Sequence, residues 1–239
     1  MHLDFIKTPF TNNPSMQKYS GDLVNNSPRS KYIEEKLIQI SLRESELCGE
    51  TKLFQKLKLL DKVSNLLDIQ KFKTIKDLSM GIEEDIAVMH KGKLEAISFC
   101  FPSGWIPTKA LGKDFAFLHE PVADNDLLIK SSQKLSKYMC SHSIQRWVWT
   151  VTTSKELSEH PKLKKPGLTT FENLYFRVET QTSTPIDEIT SLFLIKVEVF
   201  PLSDVWDPKI LDSINSMSDS VLNYKGLVEI KDLLNRMKL

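Results

Sequence analysis

Three stretches in the second half of the chain alternate apolar and polar residues. This two-residue period predicts antiparallel β-strands that bury one face. The predicted strands cover residues 147–153, 174–182 and 192–200. In the last stretch Phe193, Ile195, Val197 and Val199 share one face, and Lys196 and Glu198 lie on the other. Two shorter strands are predicted at 85–89 and 94–101, joined by a turn at 90–93.

A period of three to four residues appears before these strands and predicts amphipathic helices there. One helix begins at Ser30, with Ile33, Leu37 and Ile40 as its apolar side. A second helix follows a break at Gly49, and its leucines are Leu53, Leu57, Leu60 and Leu67.

Further helices are predicted between the second and third strands and after the last one. Asp124, Asn125 and Asp126 offer N-cap residues for a helix that runs to about Met139. Its predicted apolar side consists of Leu127, Leu128, Leu135 and Tyr138. From Pro208 onward two helices are predicted, the first marked by Ile210, Ile214, Met217 and Val221, and the second by Ile230, Leu233 and Leu234.

Together these elements predict an α+β fold with about five antiparallel strands, a helical segment inserted into the sheet sequence, and helices at both ends. Residues 1–29 are rich in proline, asparagine and serine and are predicted to form an irregular arm. Residues 30–239 are predicted to form a single domain. Within it, N-terminal helices cover 30–80, the sheet core covers 82–200 and C-terminal helices cover 204–239.

Composition and the absence of certain motifs argue against several classes of function. A net charge of +1, from 32 basic and 31 acidic residues, predicts neither nucleic acid nor a membrane surface as a partner. The sequence contains no GxGxxG, P-loop, GxSxG or HExxH motif, so dinucleotide-binding, kinase and hydrolase functions lack support. No signal peptide is predicted. The three cysteines form no CxxC pair and are expected to be reduced thiols of a cytoplasmic protein.

Two groups of residues could carry chemistry. His119 has apolar neighbours, and a buried neutral imidazole suits the axial position of heme iron. The residues alone favour the alternative, a core histidine bonded to a carbonyl. Arg177 and Glu179 share one strand face, where they either line a pocket or form an exposed polar surface paired with Lys196 or Glu198. The residues alone favour the exposed surface.

Several segments in the same order resemble the heme-dependent oxidative N-demethylase α-subunit family. These segments are Pro9-Phe10, Glu84-Asp85, Phe101-Pro102-Ser103-Gly104-Trp105 with Lys109 and Leu111-Gly112, Leu118-His119-Glu120-Pro121-Val122, Arg146-x-x-Trp149, Arg177-Val178-Glu179-Thr180-Gln181-Thr182 and Tyr224-Lys225-Gly226-Leu227.

The resemblance implies a PAS-like heme domain that oxidatively N-demethylates a small secondary amine with O2. It implies His119 as the iron ligand, Glu179 beside the amine, and Arg177 on the distal or propionate side. It further implies cofactor contacts at Trp105, Lys109, Arg146, Trp149 and Arg177. Electrons would come from a separate reductase whose subunits carry flavin and an iron–sulfur centre.

This chain departs from the family pattern after Glu179. Thr180 stands where the family has a second arginine, and residues 183–187 replace a stretch that contains an arginine pair. Trp147-Val148 also replaces a segment that carries an asparagine. Two other functions therefore remain open: a heme-binding PAS-like sensor or carrier without turnover, and a scaffold without heme.

Overall fold

A single antiparallel sheet forms the centre of the protein in the computed structural model, which describes residues 2–12, 15–25 and 27–237. Its strands are β1 (Gln17–Lys18), β2 (Cys48–Glu50), β3 (Asp85–His90), β4 (Lys93–Ser98), β5 (Ile144–Thr152), β6 (Tyr175–Asp187) and β7 (Thr190–Pro201). They lie in the order β1-β5-β6-β7-β3-β4-β2. Met1, Asn13, Pro14 and Asn26 of the predicted arm lie outside the described residues, as do Lys238 and Leu239 of the predicted C-terminal helices.

Helices lie before β3, between β4 and β5, and after β7. They are α1 (Ser30–Leu47), α2 (Lys52–Lys56), α3 (Leu59–Leu66), α4 (Ile75–Ser79), α5 (Phe115–His119), α6 (Asp126–Met139), α7 (Leu202–Val205), α8 (Pro208–Asn215), α9 (Asp219–Lys225) and α10 (Val228–Arg236). The second predicted helix, marked by Leu53 to Leu67, is in fact two, and the short helix at 115–119 was not predicted. The α+β class, the antiparallel sheet and the helical segment between β4 and β5 are confirmed. Similarity to PAS domains stays a prediction.

Across the described residues, no helix has both the length and the apolar character needed to cross a bilayer.

The two short edge strands, β1 and β2, are absent from the sequence prediction. β1 pairs with β5 through Gln17 and Lys18, and β2 pairs with β4 through residues 48–50. A strand of two or three residues is too short to display a period. The five longer strands were predicted because each shows a clear alternation or a continuous apolar run.

Helices and loops cover both faces of the sheet. On one face, α8, α9 and α10 pack against β5 and β6, while α3 and α4 pack on β3 and β7. On the other face, α1 and the chain after β4 cover apolar residues of β3, β4 and β7. The side chain of Arg177 points toward this second face, because its register partner Val199 lies there beside Val197 and Ile195.

The predicted apolar side of α1 is wrong. The helix buries Tyr32, Lys36 and Gln39, whereas Leu37 is 56% exposed. Lys36 is fully buried, and its ammonium donates hydrogen bonds to backbone carbonyls. These acceptors are the oxygens of Ser79, Ile82 and Glu84, at 2.9, 3.1 and 2.6 Å. A buried cation can replace an apolar residue here because each proton of the ammonium meets an acceptor.

Two further predictions need correction. In α6 the helix is present, but Leu127 on the predicted apolar side is 80% exposed, while Leu128 is buried. The first predicted C-terminal helix is in fact two, α8 and α9. Ser218 begins α9 by accepting a hydrogen bond from the Val221 N–H at 3.3 Å, and this cap interrupts the apolar period.

The N-terminal segment packs on the outer strands and the C-terminal helices. Phe5 stacks on Trp147 with ring centroids 5.7 Å apart, and Phe10 meets Trp149 edge-on at 6.4 Å. The Phe10 N–H donates to Ser216 Oγ at 2.8 Å. These contacts join the first residues of the chain to the helix pair α8 and α9.

Candidate functional site

A turn directly after β4 forms one wall of the candidate site. Asp85, the first residue of β3, accepts hydrogen bonds from the backbone N–H groups of Cys100 and Phe101 at 2.9 and 2.8 Å. Burial raises the pKa of the Asp85 carboxyl to about 6. Gly104 takes a left-handed conformation (φ 79°), and its N–H donates to the Glu159 carbonyl at 3.0 Å. Residues 101–105 are therefore held at both ends.

Arg177 lies beneath this turn and is only 2% exposed. Its guanidinium donates to the carbonyl oxygens of Leu157 and Phe101, at 2.5 and 2.9 Å. It also donates to Ser103 Oγ, from Nη2 at 3.1 Å and from Nε at 3.3 Å. The sequence-based preference for an exposed polar face is therefore wrong. The face of β6 that carries Arg177 is covered, and Lys196 and Glu198 lie on the other face.

Glu179 lies beside the same turn. One carboxylate oxygen accepts a hydrogen bond from Ser103 Oγ at 2.5 Å, and the other accepts from Gln181 Nε2 at 2.9 Å. The nearer oxygen is 3.6 Å from Nη2 of Arg177. The structure thus brings Arg177 and Glu179 together with a serine that the sequence reasoning assigned to a motif but gave no role.

His119 is the last residue of α5, a short helix that begins at the N-cap Asp114. Its Nδ1 lies 2.9 Å from the Phe115 carbonyl oxygen, and its ring stacks on the Phe115 ring at 4.1 Å. Because a carbonyl only accepts, Nδ1 carries the proton in the neutral ring, and Nε2 keeps its lone pair. Burial lowers the pKa of His119 and the charge of Arg146 adds to that effect, while the hydrogen bond to the Phe115 carbonyl raises it. The net shift of the pKa is downward, which favours the neutral imidazole.

Arg146 is a half-buried cation on β5 whose donor Nε is itself buried and finds no hydrogen-bond acceptor among the described residues. Burial lowers the pKa of its guanidinium, and the nearby negative charge of Glu179 opposes that effect. Its register partner on β6 is Gln181, so Arg146 lies on the same sheet face as Glu179. An unsatisfied buried donor is costly unless a ligand supplies the acceptor.

The donor chemistry of two of these side chains is compatible with a heme group. His119 offers a neutral imidazole whose tautomer leaves Nε2 available for iron, and Arg146 offers an unpaired donor suited to a propionate carboxylate. Within the described ranges, no three His, Cys, Asp or Glu side chains are grouped to hold a metal ion by themselves.

The other three predicted cofactor contacts lie in different environments. Trp105 is half-buried, meets Phe99 edge-on at 5.9 Å, and packs on the same cluster as Phe115 and Leu118. Lys109 is exposed in a short 3-10 helix (Pro107–Ala110). Trp149 is buried on the opposite sheet face, so its ring is not brought together with Arg146 and Glu179.

Lys225 is a further charged residue near the site that sequence reasoning gave no role. Its ammonium donates to the Trp149 carbonyl at 2.8 Å. The pKa of Lys225 is lowered to about 8. Burial is the main cause, the charge of Arg146 adds to it, and the charge of Glu179 opposes it. The sequence signal was its place in the segment Tyr224-Lys225-Gly226-Leu227, which supports the family resemblance but indicates no chemistry.

Two cavities lie away from these residues. One of about 370 Å³ is lined by parts of the N-terminal segment and residues 203–209. The other, of about 470 Å³, is lined by residues 40–45 and Cys48. Neither is lined by His119, Arg146 or Glu179.

Comparison with protein families assigns most of the chain to one of them. A family model described as "Haem-dependent oxidative N-demethylase, alpha subunit-like" matches residues 43–235, which is most of the chain and includes every predicted site residue. Among curated proteins, none matches this sequence.

Proposed function

The chain belongs to the heme-dependent oxidative N-demethylase, alpha-subunit-like family, and on that basis we propose that it binds heme through His119 and oxidises a small amine beside Glu179. The observation that carries the proposal is the family match over residues 43–235; the hydrogen bond between His119 Nδ1 and the Phe115 carbonyl is compatible with it and is also the bond expected of a histidine without iron. That bond fixes the tautomer in which Nε2 can ligate iron, and such an outer partner is typical of ligating histidines.

Arg146 is proposed to hold a heme propionate. Its buried Nε lacks an acceptor among the described residues, and a carboxylate would supply one with opposite charge. Trp105 and Lys109 are proposed as further cofactor contacts, the first apolar and the second cationic. For Trp149 we propose an indirect role, since its carbonyl anchors the ammonium of Lys225.

Glu179 is proposed to hold the amine, because a carboxylate favours the ammonium form of a secondary amine and orients its N-methyl group. Arg177 is proposed as a positioning residue, since its donors are directed to the carbonyls of Phe101 and Leu157 and to Ser103. When bound, heme supplies the activation of O2. The chain's own residues bind, orient and shield the reactants.

The proposal requires a separate reductase subunit. The sequence contains no nicotinamide- or flavin-binding glycine motif and no cysteine set for an iron–sulfur cluster, so flavin and iron–sulfur centres are assigned to partner subunits. We propose a cytoplasmic location, in keeping with the three free thiols.

A heme-binding sensor or carrier is the second candidate function. It is favoured by one observation: both carboxylate oxygens of Glu179 already accept hydrogen bonds within the chain. An amine would have to compete with Ser103 and Gln181 for them. Turnover therefore needs its own test.

The first experiment is an absorption spectrum of purified protein supplied with hemin. We expect a Soret band that shifts when the reduced protein is exposed to carbon monoxide. His119→Ala should abolish both, whereas the matched control His142→Ala should not, because His142 is exposed and stacks on Tyr138. Normal heme binding by the His119→Ala protein would overturn the proposal.

The second experiment separates the enzyme from the sensor. With a surrogate reductase, we expect O2 consumption that depends on a small secondary amine, and an amine-induced spectral change that Glu179→Gln weakens. Glu156→Gln, at an exposed position, is the control. Heme binding without amine-dependent O2 consumption would support the sensor or carrier.

A further inference from the structure

Two of the three cysteines meet where the edge strand β2 pairs with β4. Cys48 is the register partner of Ser98, the last residue of β4. The Phe99 N–H then donates to the Leu47 carbonyl at 3.1 Å, so the chain beyond β4 stays alongside the chain before β2. This continued pairing places Cys100 opposite Glu46, diagonally across the strand pair from Cys48. All three cysteines are free thiols.

The two thiols interact directly and are not equivalent. Cys48 Sγ lies 3.2 Å from Ser98 Oγ. A hydrogen bond between the two thiols lowers the pKa of Cys48 and, together with burial, raises the pKa of Cys100 well above its usual value. Cys48 is therefore the thiol that more readily becomes a thiolate, and Cys100 is its neutral neighbour.

Cys48 is also the more solvent-accessible of the two thiols. Cys100 is completely buried, whereas Cys48 is partly exposed and lines the cavity of about 470 Å³. The other lining residues belong to α1 around Arg43, where the helix departs from helical geometry (φ −156°, ψ 38°). A small oxidant can thus approach Cys48 from the cavity while Cys100 is screened.

We propose that Cys48 and Cys100 form a reversible disulfide when the protein meets hydrogen peroxide or a small alkyl hydroperoxide. An accessible thiolate next to a resolving cysteine is the arrangement that redox-sensitive proteins use. The third cysteine, Cys140, takes no part, because it lies at the end of α6 and interacts with Ser191.

The chemistry balances in two steps. The Cys48 thiolate attacks one oxygen of the hydroperoxide, the O–O bond breaks, and the other oxygen leaves as water or an alcohol after taking a proton. The resulting sulfenic acid is then attacked at sulfur by Cys100, and its oxygen leaves as water. Together the thiols lose two electrons and two protons, and the peroxide is reduced.

The disulfide would act on the wall of the candidate site. The N–H of Cys100 donates to Asp85, and the carbonyl of the next residue, Phe101, accepts from Arg177. A bond formed at Cys100 therefore pulls on the segment that Arg177 holds. An effect on amine oxidation would rest on the proposed function, whereas formation of the disulfide does not.

The test uses full-length wild-type protein without heme, treated with a small excess of hydrogen peroxide and then alkylated. We expect the alkylatable thiols to fall from three to one, with a mass loss of two hydrogens, and dithiothreitol should restore all three. Peptide mapping should join Cys48 to Cys100. The control Cys140→Ser should still form the bond, and Cys48→Ser should not.

Several results would overturn the inference. These are three alkylatable thiols after treatment, a disulfide that includes Cys140, or sulfinic acid at Cys48 with Cys100 still free. Mapping of the wild-type protein decides the matter even when a cysteine variant does not fold. Because heme is absent from the assay, failure here leaves the proposed function untouched.

Discussion

Arg177 and Glu179 are connected by the hydroxyl of Ser103. The oxygen of that hydroxyl accepts from the guanidinium at 3.1 Å, and its hydrogen is donated to the carboxylate at 2.5 Å. The turn at 101–105, which follows β4, is thereby bonded to Arg177 and Glu179, two residues on the same face of β6. The position of the Glu179 carboxylate consequently depends on a network that reaches back to Asp85.

The first prediction compares Arg177 with Arg146. Arg177→Met should lower the free energy of unfolding by ~3 kcal/mol or more, because it leaves the Phe101 and Leu157 carbonyls without their charged donor. Arg146→Met should cost less than ~1 kcal/mol in heme-free protein, because the Nε it removes has no partner among the described residues.

Urea unfolding of both variants, followed by far-UV circular dichroism, measures the contrast. Equal destabilisation by the two substitutions would mean that Arg146 is held by contacts as strong as those of Arg177. In heme-loaded protein the difference in destabilisation between the two variants should become smaller, because under the proposed function Arg146 then gains a propionate partner.

The second prediction is a pH dependence caused by Asp85. Its pKa is raised by burial from 3.8 to about 6, so the folded state binds its proton more tightly than the unfolded state. The stabilising contribution is full below about pH 4 and is lost as pH rises through 6, a change of roughly 3 kcal/mol. Asp85→Asn removes this titration.

The difference in unfolding free energy between Asp85→Asn and wild type isolates that group. We expect it to shift in favour of the variant by roughly 2 kcal/mol as the pH rises from 4 to 7. A constant difference would mean that Asp85 keeps its ordinary pKa in the fold.

The third prediction has the opposite sign and concerns Glu83. Burial alone would raise its pKa, but hydrogen bonds from Arg29 and Lys196 outweigh burial and lower it to about 2. The stabilisation is present above about pH 4.5 and disappears as pH falls toward 2. Because Arg29 is half exposed and solvent screens it, we expect about 2 kcal/mol.

Glu83→Gln tests this. The variant should be less stable than wild type at pH 7 and equally stable near pH 2, as followed by thermal unfolding. A penalty that is the same at both pH values would assign the loss to hydrogen-bond geometry and not to charge.

The fourth prediction concerns the buried ammonium of Lys36. Lys36→Met should destabilise the protein by ~3 kcal/mol, because it deprives three carbonyls of one donor. Lys52→Met, on the exposed side of α2, should change stability by less than ~0.5 kcal/mol. Chemical unfolding of the two variants gives the comparison. If Lys36→Met did not change the free energy of unfolding, water would be shown to replace the ammonium.

Local patterns predicted the parts of the fold that depend on them. The alternation along β6 and β7 revealed both strands, and it placed Lys196 and Glu198 on the face opposite Val197. The same alternation grouped Arg177 with Glu179, but it assigned that face to solvent. Charge alone does not reveal that the turn at 101–105, distant in sequence, supplies acceptors for a buried guanidinium.

Lys36 illustrates the same limit in a helix. A lysine between glutamates indicates a solvated face, and only the meeting of α1 with three carbonyls of the segment 79–84 makes its burial favourable. For the candidate site, the sequence placed His119 among apolar residues. It did not reveal the Phe115 carbonyl that sets the tautomer, nor the unpaired Nε of Arg146.

The stacking of Phe5 on Trp147 and of Phe10 against Trp149 has a practical outcome. Phe5 and Phe10 cover part of the two indoles of β5, so detachment or proteolytic loss of the segment 2–10 would increase their contact with water. Their fluorescence emission would then move to longer wavelength. Intrinsic tryptophan fluorescence can therefore show, without an added label, whether the N-terminal segment is packed on the sheet.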